Sequence, residues 1–240
     1  PFGTAAAPRT LIETNEHRPE RMAANATGGF LGIDLSCAQC HNHPYARWTQ
    51  EQFWQTAALF QRSATRQDDG RSPPRPSIRI PDTDREVTAA LFTGEPIGHW
   101  EASPDRDGRM TFAAWLSDPA NPFFARHTVN EVWGALLGKR LVDSIAQEPP
   151  LPDAGPRERL LGELADALVA NDFDLHLLVR GIVSSGAYQL ASTGGTSGGG
   201  DAPADFTRAA VRGLSGEQLF DSLCVAAGQT VVREDLDTRA

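Results

Sequence analysis

Two thiols and an imidazole stand within one five-residue run, Cys37-Ala38-Gln39-Cys40-His41, and this run constrains the chain more than any other feature. Two intervening residues bring both sulfurs to one side of a single backbone turn. Thiols and imidazoles are the side chains that ligate soft metals, attack electrophiles and change redox state. The fold must therefore present this turn to a cofactor, a metal or solvent.

Several chemistries use such a cluster. In a c-type haem attachment site the two thiols add across the two vinyl groups, and the adjacent histidine supplies an imidazole to the iron. Covalent anchoring then keeps the cofactor bound even where little protein surrounds it. A redox-active dithiol of thioredoxin type needs a strand–helix context, and none surrounds this run. Zinc has Cys37, Cys40, His41 and His43 available, but ligands packed so closely in sequence rarely close a tetrahedron, and no second pair lies downstream. An iron–sulfur cluster normally needs four thiolates, and the sequence has three cysteines. The expectation is one covalent haem c on Cys37 and Cys40 with His41 as proximal ligand; zinc, a disulfide and a chance match are the alternatives. Cys224 stands alone in an apolar helical pattern and reads as a small buried hydrophobe.

Other residues are candidates for the same site. Trp48 and Trp54, with Phe53 and Phe60, follow the motif closely and would wall a porphyrin or form ordinary core. His43 is too close in sequence to reach the opposite haem face. It reads instead as a hydrogen-bonding residue for a propionate, the backbone or a neighbouring cofactor. The distal candidates are His17, Met22, His99 and His127. A ligand from another chain and a five-coordinate iron also stay open.

The rest of the sequence is mainly helical in pattern. Residues 1–27 are polar and weakly periodic. Thr49-Gln50-Glu51-Gln52 matches a capping box and predicts a helix over 50–62. Prolines 73, 74, 76 and 81 exclude a long helix there, and residues 77–80 and 87–92 read as short strands. Met110 opens another helical stretch. Asn121-Pro122 predicts an N-cap with proline at N1, for a helix running to Gly138 as its C′ residue. Further helices are expected from Pro156 to about Ala170, from Asp174 to near Ser184, and from the capping box at Ser215 to Gly228. The Gly/Ser-rich stretch 193–204 is expected to be a flexible loop, and residues 233–240 a fraying tail.

The 240 residues carry a net charge of −9, which argues against a non-specific nucleic-acid partner and suits basic redox partners. No run of 18 apolar residues exists, so no transmembrane helix is expected. No Ser/His/Asp set, carboxylate pair or phosphate loop is apparent, which favours electron transfer over catalysis on a substrate.

These motifs together resemble a known family. Phe30-Leu31-Gly32, then residues 37–44, Trp48-Thr49-Gln50 and Phe60, resemble the cytochrome-c-like domain of large planctomycete proteins. Asn121-Pro122-Phe123-Phe124-Ala125-Arg126, Val129-Asn130, Val132-Trp133 and the Leu214 to Asp221 segment resemble the companion C-terminal domain of the same proteins. The resemblance covers about residues 28–228. It implies a haem-binding motif and export to the periplasm or the cell surface. Two positions depart from the family pattern: Glu131 stands where arginine is common, and His127 where histidine is unusual.

The expected architecture is mainly α, with few short strands. A haem c-bearing unit (about 1–105) packs on a helical companion unit (about 106–232). The expected function is an exported c-type cytochrome subunit passing single electrons to partner proteins or other haem subunits within a larger redox assembly. The alternative is a structural or interaction module with zinc or a disulfide at the Cys/His cluster.

Overall fold

The computed structural model describes residues 14–61, 76–93, 108–145, 155–192, 206, 208–211 and 213–228. Among them are seven α-helices, a 3₁₀ turn and one two-stranded sheet. The mainly helical class expected from the sequence is the one found.

Helix α1 (Pro19–Leu31) is an element that the hydrophobic pattern does not announce. Pro19 opens it, and its buried stripe is Met22, Ala23, Ala26, Thr27 and Leu31. The Thr27 hydroxyl donates back to the carbonyls of Ala23 and Ala24 at 3.0 and 3.2 Å, so this polar residue is fully buried without an orphaned group. Small and polar residues thus do the work of an apolar face.

The capping box does start α2 (Gln50–Ala58): the Gln52 amide donates to Thr49 Oγ1 at 3.2 Å, and the Thr49 amide to Gln52 Oε1 at 2.8 Å. The helix stops short of the expected residue 62. Strands β1 (Ser77–Arg79) and β2 (Glu86–Thr88) pair antiparallel, with Ile78 opposite Val87, and lie against α2. Gln52 also donates to Phe92 O at 2.8 Å, fastening the segment after β2 to the same helix. Helix α3 (Gly108–Leu116) begins at a glycine because a β-carbon there would stand 2.2 Å from the Leu59 carbonyl oxygen.

Helix α4 (Phe124–Leu137) starts two residues later than expected. Asn121 still caps the turn before it, its Oδ1 accepting from the amides of Phe123 and Phe124 at 2.9 and 3.0 Å. Gly138 ends α4 in the left-handed region, with φ at 80°. Helices α5 (Pro156–Ala170) and α6 (Leu175–Val183) follow, the latter capped by the Asp174 carboxylate. Helix α7 (Gly216–Ala226) carries the second capping box, at Ser215. The Gly/Ser stretch 193–204 and the tail 233–240 lie outside the described residues.

Two cores result. The first gathers α1, the motif, α2 and the sheet around Trp48, Phe53, Phe92, Phe112 and Phe123, and also takes Ile145. Trp48 meets Phe92 edge-on at 5.1 Å and Phe123 at 6.4 Å between ring centres. The second core lies among α4, α5 and α6, around Val129, Trp133, Leu161 and Ile182. Helix α4 touches both, because it also packs on α1. The division expected near 105 falls outside the described residues, and Phe112 and Phe123, beyond it, belong to the first core. Cys224, expected to be buried, is only partly so, because no residue of α7 is fully buried.

Candidate functional site

Residues 37–41 follow α1 through Gly32 and a short apolar segment. Leu31, Ile33 and Leu35 are fully buried and anchor the approach. Ser36–Gln39 then form the 3₁₀ turn, with Cys40 as its C-cap. In such a turn the side chains at i and i+3 eclipse, so Cys37 and Cys40 share one face. Both thiols are free and exposed, while Ala38 between them is fully buried. An alanine methyl pins one side of the turn in the core, and the other side offers two sulfurs to whatever approaches.

Helix α2 holds the turn from behind. Gln50 Nε2 donates to the carbonyls of Gln39 and Cys40 at 3.2 and 3.0 Å. Trp54 Nε1 donates to the same Gln39 oxygen at 3.0 Å. In return Asn42 Oδ1 accepts from the Gln50 amide at 3.0 Å, occupying a first-turn donor of the helix. Gln39, Asn42 and Gln50 stand in motifs read from the sequence but have no site role there. Only the place of Gln50 in the first turn of a helix just after the motif hints at its role.

The two histidines are set in opposite senses. Nδ1 of His41 lies 2.8 Å from the Asn42 carbonyl oxygen, which only accepts, so Nδ1 carries the hydrogen. Nε2 of the neutral ring is then an available lone pair, the state in which imidazole ligates a metal. Nδ1 of His43 faces two donors instead, the amides of Tyr45 and Ala46 at 3.2 and 3.0 Å. The lone pair of His43 is therefore on Nδ1 and its hydrogen on Nε2. Beside this, the hydroxyl and amide of Ser36 hold the Asp34 carboxyl below its ordinary value.

The remaining site candidates are dispersed. Trp48 and Trp54 are 2% and 3% exposed and sit in the first core behind the motif. The indole nitrogen of Trp48 is buried with no partner. Met22 is buried in the same core, and His17 is exposed in the turn before α1. His99 lies outside the described residues. His127 sits on α4 with Nε2 3.2 Å from the Gly29 carbonyl and Nδ1 3.8 Å from Glu131 Oε1. Glu131 in turn pairs with Arg140 at 2.8 Å. The two departures from the family pattern, His127 and Glu131, are thus one helical turn apart and face each other. Among the described residues no group of three or more His, Cys, Asp or Glu side chains is arranged to hold a metal ion.

Comparison with protein families agrees with this layout. The model for PSD1, described as a protein of unknown function (DUF1553), matches residues 108–236, more than half of the chain. The chain belongs to the PSD1 family. Upstream of its PSD1 region, residues 5–65 are similar to PSCyt2, likewise described as a protein of unknown function (DUF1549). Two planctomycete-type domains of unknown function are thus matched, with the Cys-Ala-Gln-Cys-His run inside the PSCyt2 match and α3 to α7 inside the PSD1 match; neither match carries the cytochrome character expected from the sequence. No curated protein and no solved structure matches the chain.

Proposed function

We propose that residues 37–41 carry one covalently attached haem c, which makes the chain an exported c-type cytochrome subunit for one-electron transfer. The observation that supports this best is the joint preset of three side chains. Cys37 and Cys40 share an exposed face of a turn whose other face is buried, and the hydrogen on His41 Nδ1 leaves Nε2 for an iron. Cys37 and Cys40 would hold the cofactor through thioethers, and His41 would ligate it. Haem c supplies a one-electron couple; the chain supplies anchoring, orientation and an apolar base. That base is Ala38, Trp48 and Trp54 in the core behind the turn, whose carbonyls Gln50 and Trp54 hold.

Other features fit a subunit that works among partners. Leu219, Phe220 and Leu223, within one face of α7, are between 49% and 60% exposed, an apolar face that a larger assembly would cover. No helix among the described residues is long and apolar enough to cross a membrane. Periplasmic or cell-surface placement belongs to the same proposal.

The test is expression with a haem c maturation system and export to an oxidising compartment. Haem that stays with the chain through denaturation and acid–acetone extraction, with a haem c pyridine haemochrome, is the expected result. Cys37→Ala and Cys40→Ala are each expected to lower attachment, and the double variant to abolish it. A matured wild-type chain without covalent haem sinks the cytochrome reading. A disulfide or bound zinc at the same thiols then leaves the structural-module alternative.

A further inference from the structure

The turn that follows the motif has a construction that anchoring a haem does not by itself require. The His43 amide donates to Trp48 O at 2.8 Å, and His43 Nδ1 accepts from the amides of Tyr45 and Ala46. These three bonds close residues 43–48, and Trp48 roots the turn in the core between Phe92 and Phe123. The base of the turn is therefore rigid.

Its tip is left in water. Tyr45 is 95% exposed, next to an exposed Pro44. Tyrosine rings normally bury most of their area, and a ring left in solvent contributes nothing to folding. A ring held out on a closed turn has already lost its backbone freedom, so contact with a ligand costs little further ordering. Tyr45 lies four residues beyond His41 and five beyond Cys40, on the same loop as the anchoring side chains.

Building on the haem reading, we propose that the turn 43–48 is a fixed lip for the cofactor, with Tyr45 as its contact and His43 as the positioning residue that latches it. The latch works through Nδ1. Coordination of iron or zinc by His43 Nε2 would move the hydrogen to Nδ1 and expel both amide donors, so the latch and a ligand role exclude each other. A ring against the haem edge keeps water off it. Water stabilises the more positive ferric state, so a covered haem has a higher potential than a bare one.

The test uses the full chain in haem-free and haem-loaded forms. In the haem-free form, long-range ¹H–¹⁵N spectra are expected to show hydrogen on Nε2 of His43 and on Nδ1 of His41. Hydrogen on Nδ1 of His43 overturns the latch. In the loaded form, Tyr45→Ala is expected to shift the midpoint potential downward, and Tyr45→Phe to leave it in place. His43→Asn, whose Oδ1 replaces the Nδ1 acceptor, is expected to keep the wild-type potential. His43→Gln places its oxygen at the Nε2 end and is expected to lower the potential as Tyr45→Ala does. Tyr45→Ala removes only an exposed ring, so it decides the matter even where His43→Gln fails to fold. Wild-type haem content with an unmoved potential in Tyr45→Ala overturns the lip alone and points to a protein partner for the ring. Absence of covalent haem in the wild type overturns the cytochrome reading and the lip with it.

Discussion

The ring of His127 lies so close to Gly32 that a β-carbon on that glycine would stand 2.5 Å from His127 Nδ1. Gly32 ends α1 at φ 67°, and His127 Nε2 meets the Gly29 carbonyl in the last turn of the same helix. This contact joins the PSD1 region to the segment that leads into the cysteine motif.

Gly32→Ala is expected to be costly for two separable reasons. A left-handed backbone costs a non-glycine residue about 1–2 kcal/mol, and overpacking against the ring adds roughly 1–3 kcal/mol. Urea denaturation should therefore show a loss of about 2–5 kcal/mol, as the sum of those two ranges. Adding His127→Ala to Gly32→Ala should recover the steric part and leave the backbone part. Equal losses in the single and double variants would show that the ring moves aside freely.

The same histidine gives the chain a predictable response to acid. Burial, opposed by Glu131 and the Gly29 carbonyl, holds the folded-state value of His127 below its ordinary 6.5. A histidine shifted downward takes up its proton more readily in the unfolded chain. Its contribution to stability is complete above pH 6.5 and is lost as pH falls below that, through the folded-state value. Denaturation midpoints measured from pH 8 down to 5 should fall, and His127→Gln should flatten that part of the slope. Gln keeps a donor for the Gly29 carbonyl but does not titrate. An unchanged slope in the variant would assign the acid response to other groups.

How much of this was legible in the sequence depended on whether the signal was local. Thr49, Asp174 and Ser215 cap helices because a side-chain oxygen answers amides two or three residues on, which is a property of short strings. Helix α1 was not legible, because Ala23, Ala26 and Thr27 carry no strong apolar period, and Thr27 is buried only through bonds to its own helix. At the motif, Cys37, Cys40 and His41 could be read directly. Which ring nitrogen of His41 and of His43 holds the hydrogen could not, since an oxygen or an amide placed by the folded backbone decides it. The hold of Gln50 on Gln39 and Cys40 was hidden for the same reason.

Asn130 offers a test of the frame on which α4 rests. It is 2% exposed; its Nδ2 donates to Val142 O at 2.9 Å, and its Oδ1 accepts from Val142 N at 3.1 Å. One side chain thus satisfies both backbone groups of a residue beyond the helix end. Asn130→Ala leaves that donor and acceptor without a protein partner, at about 1 kcal/mol for each of these partly shielded bonds. A thermal melt should show a clear drop in Tm, and Asn130→Asp, which sets a carboxylate against the Val142 carbonyl oxygen at a buried position, at least as large a one. A melt unchanged by Asn130→Ala would mean that water replaces both bonds without cost.

The hold of α2 on the motif predicts a split between stability and cofactor attachment. Trp54→Phe removes one bond to the Gln39 carbonyl, a loss of about 1 kcal/mol in addition to the packing lost with the smaller ring. Gln50→Ala frees the Cys40 carbonyl and the second hold on Gln39, again about 1 kcal/mol, because the bonds are only partly shielded. Neither change alone should unfold the chain. Together they free both carbonyls just before His41 from α2, so amide exchange at residues 37–41 should quicken sharply while the rest of α2 stays protected. Covalent haem per chain should fall further in the double variant than in either single one. Gln50→Glu makes the sharper case. It sets a carboxylate against two carbonyl oxygens, so it should lower attachment more than Gln50→Ala does despite its closer shape. If attachment instead followed side-chain size, with Gln50→Glu equal to wild type, the hydrogen bonds would not be what holds the turn.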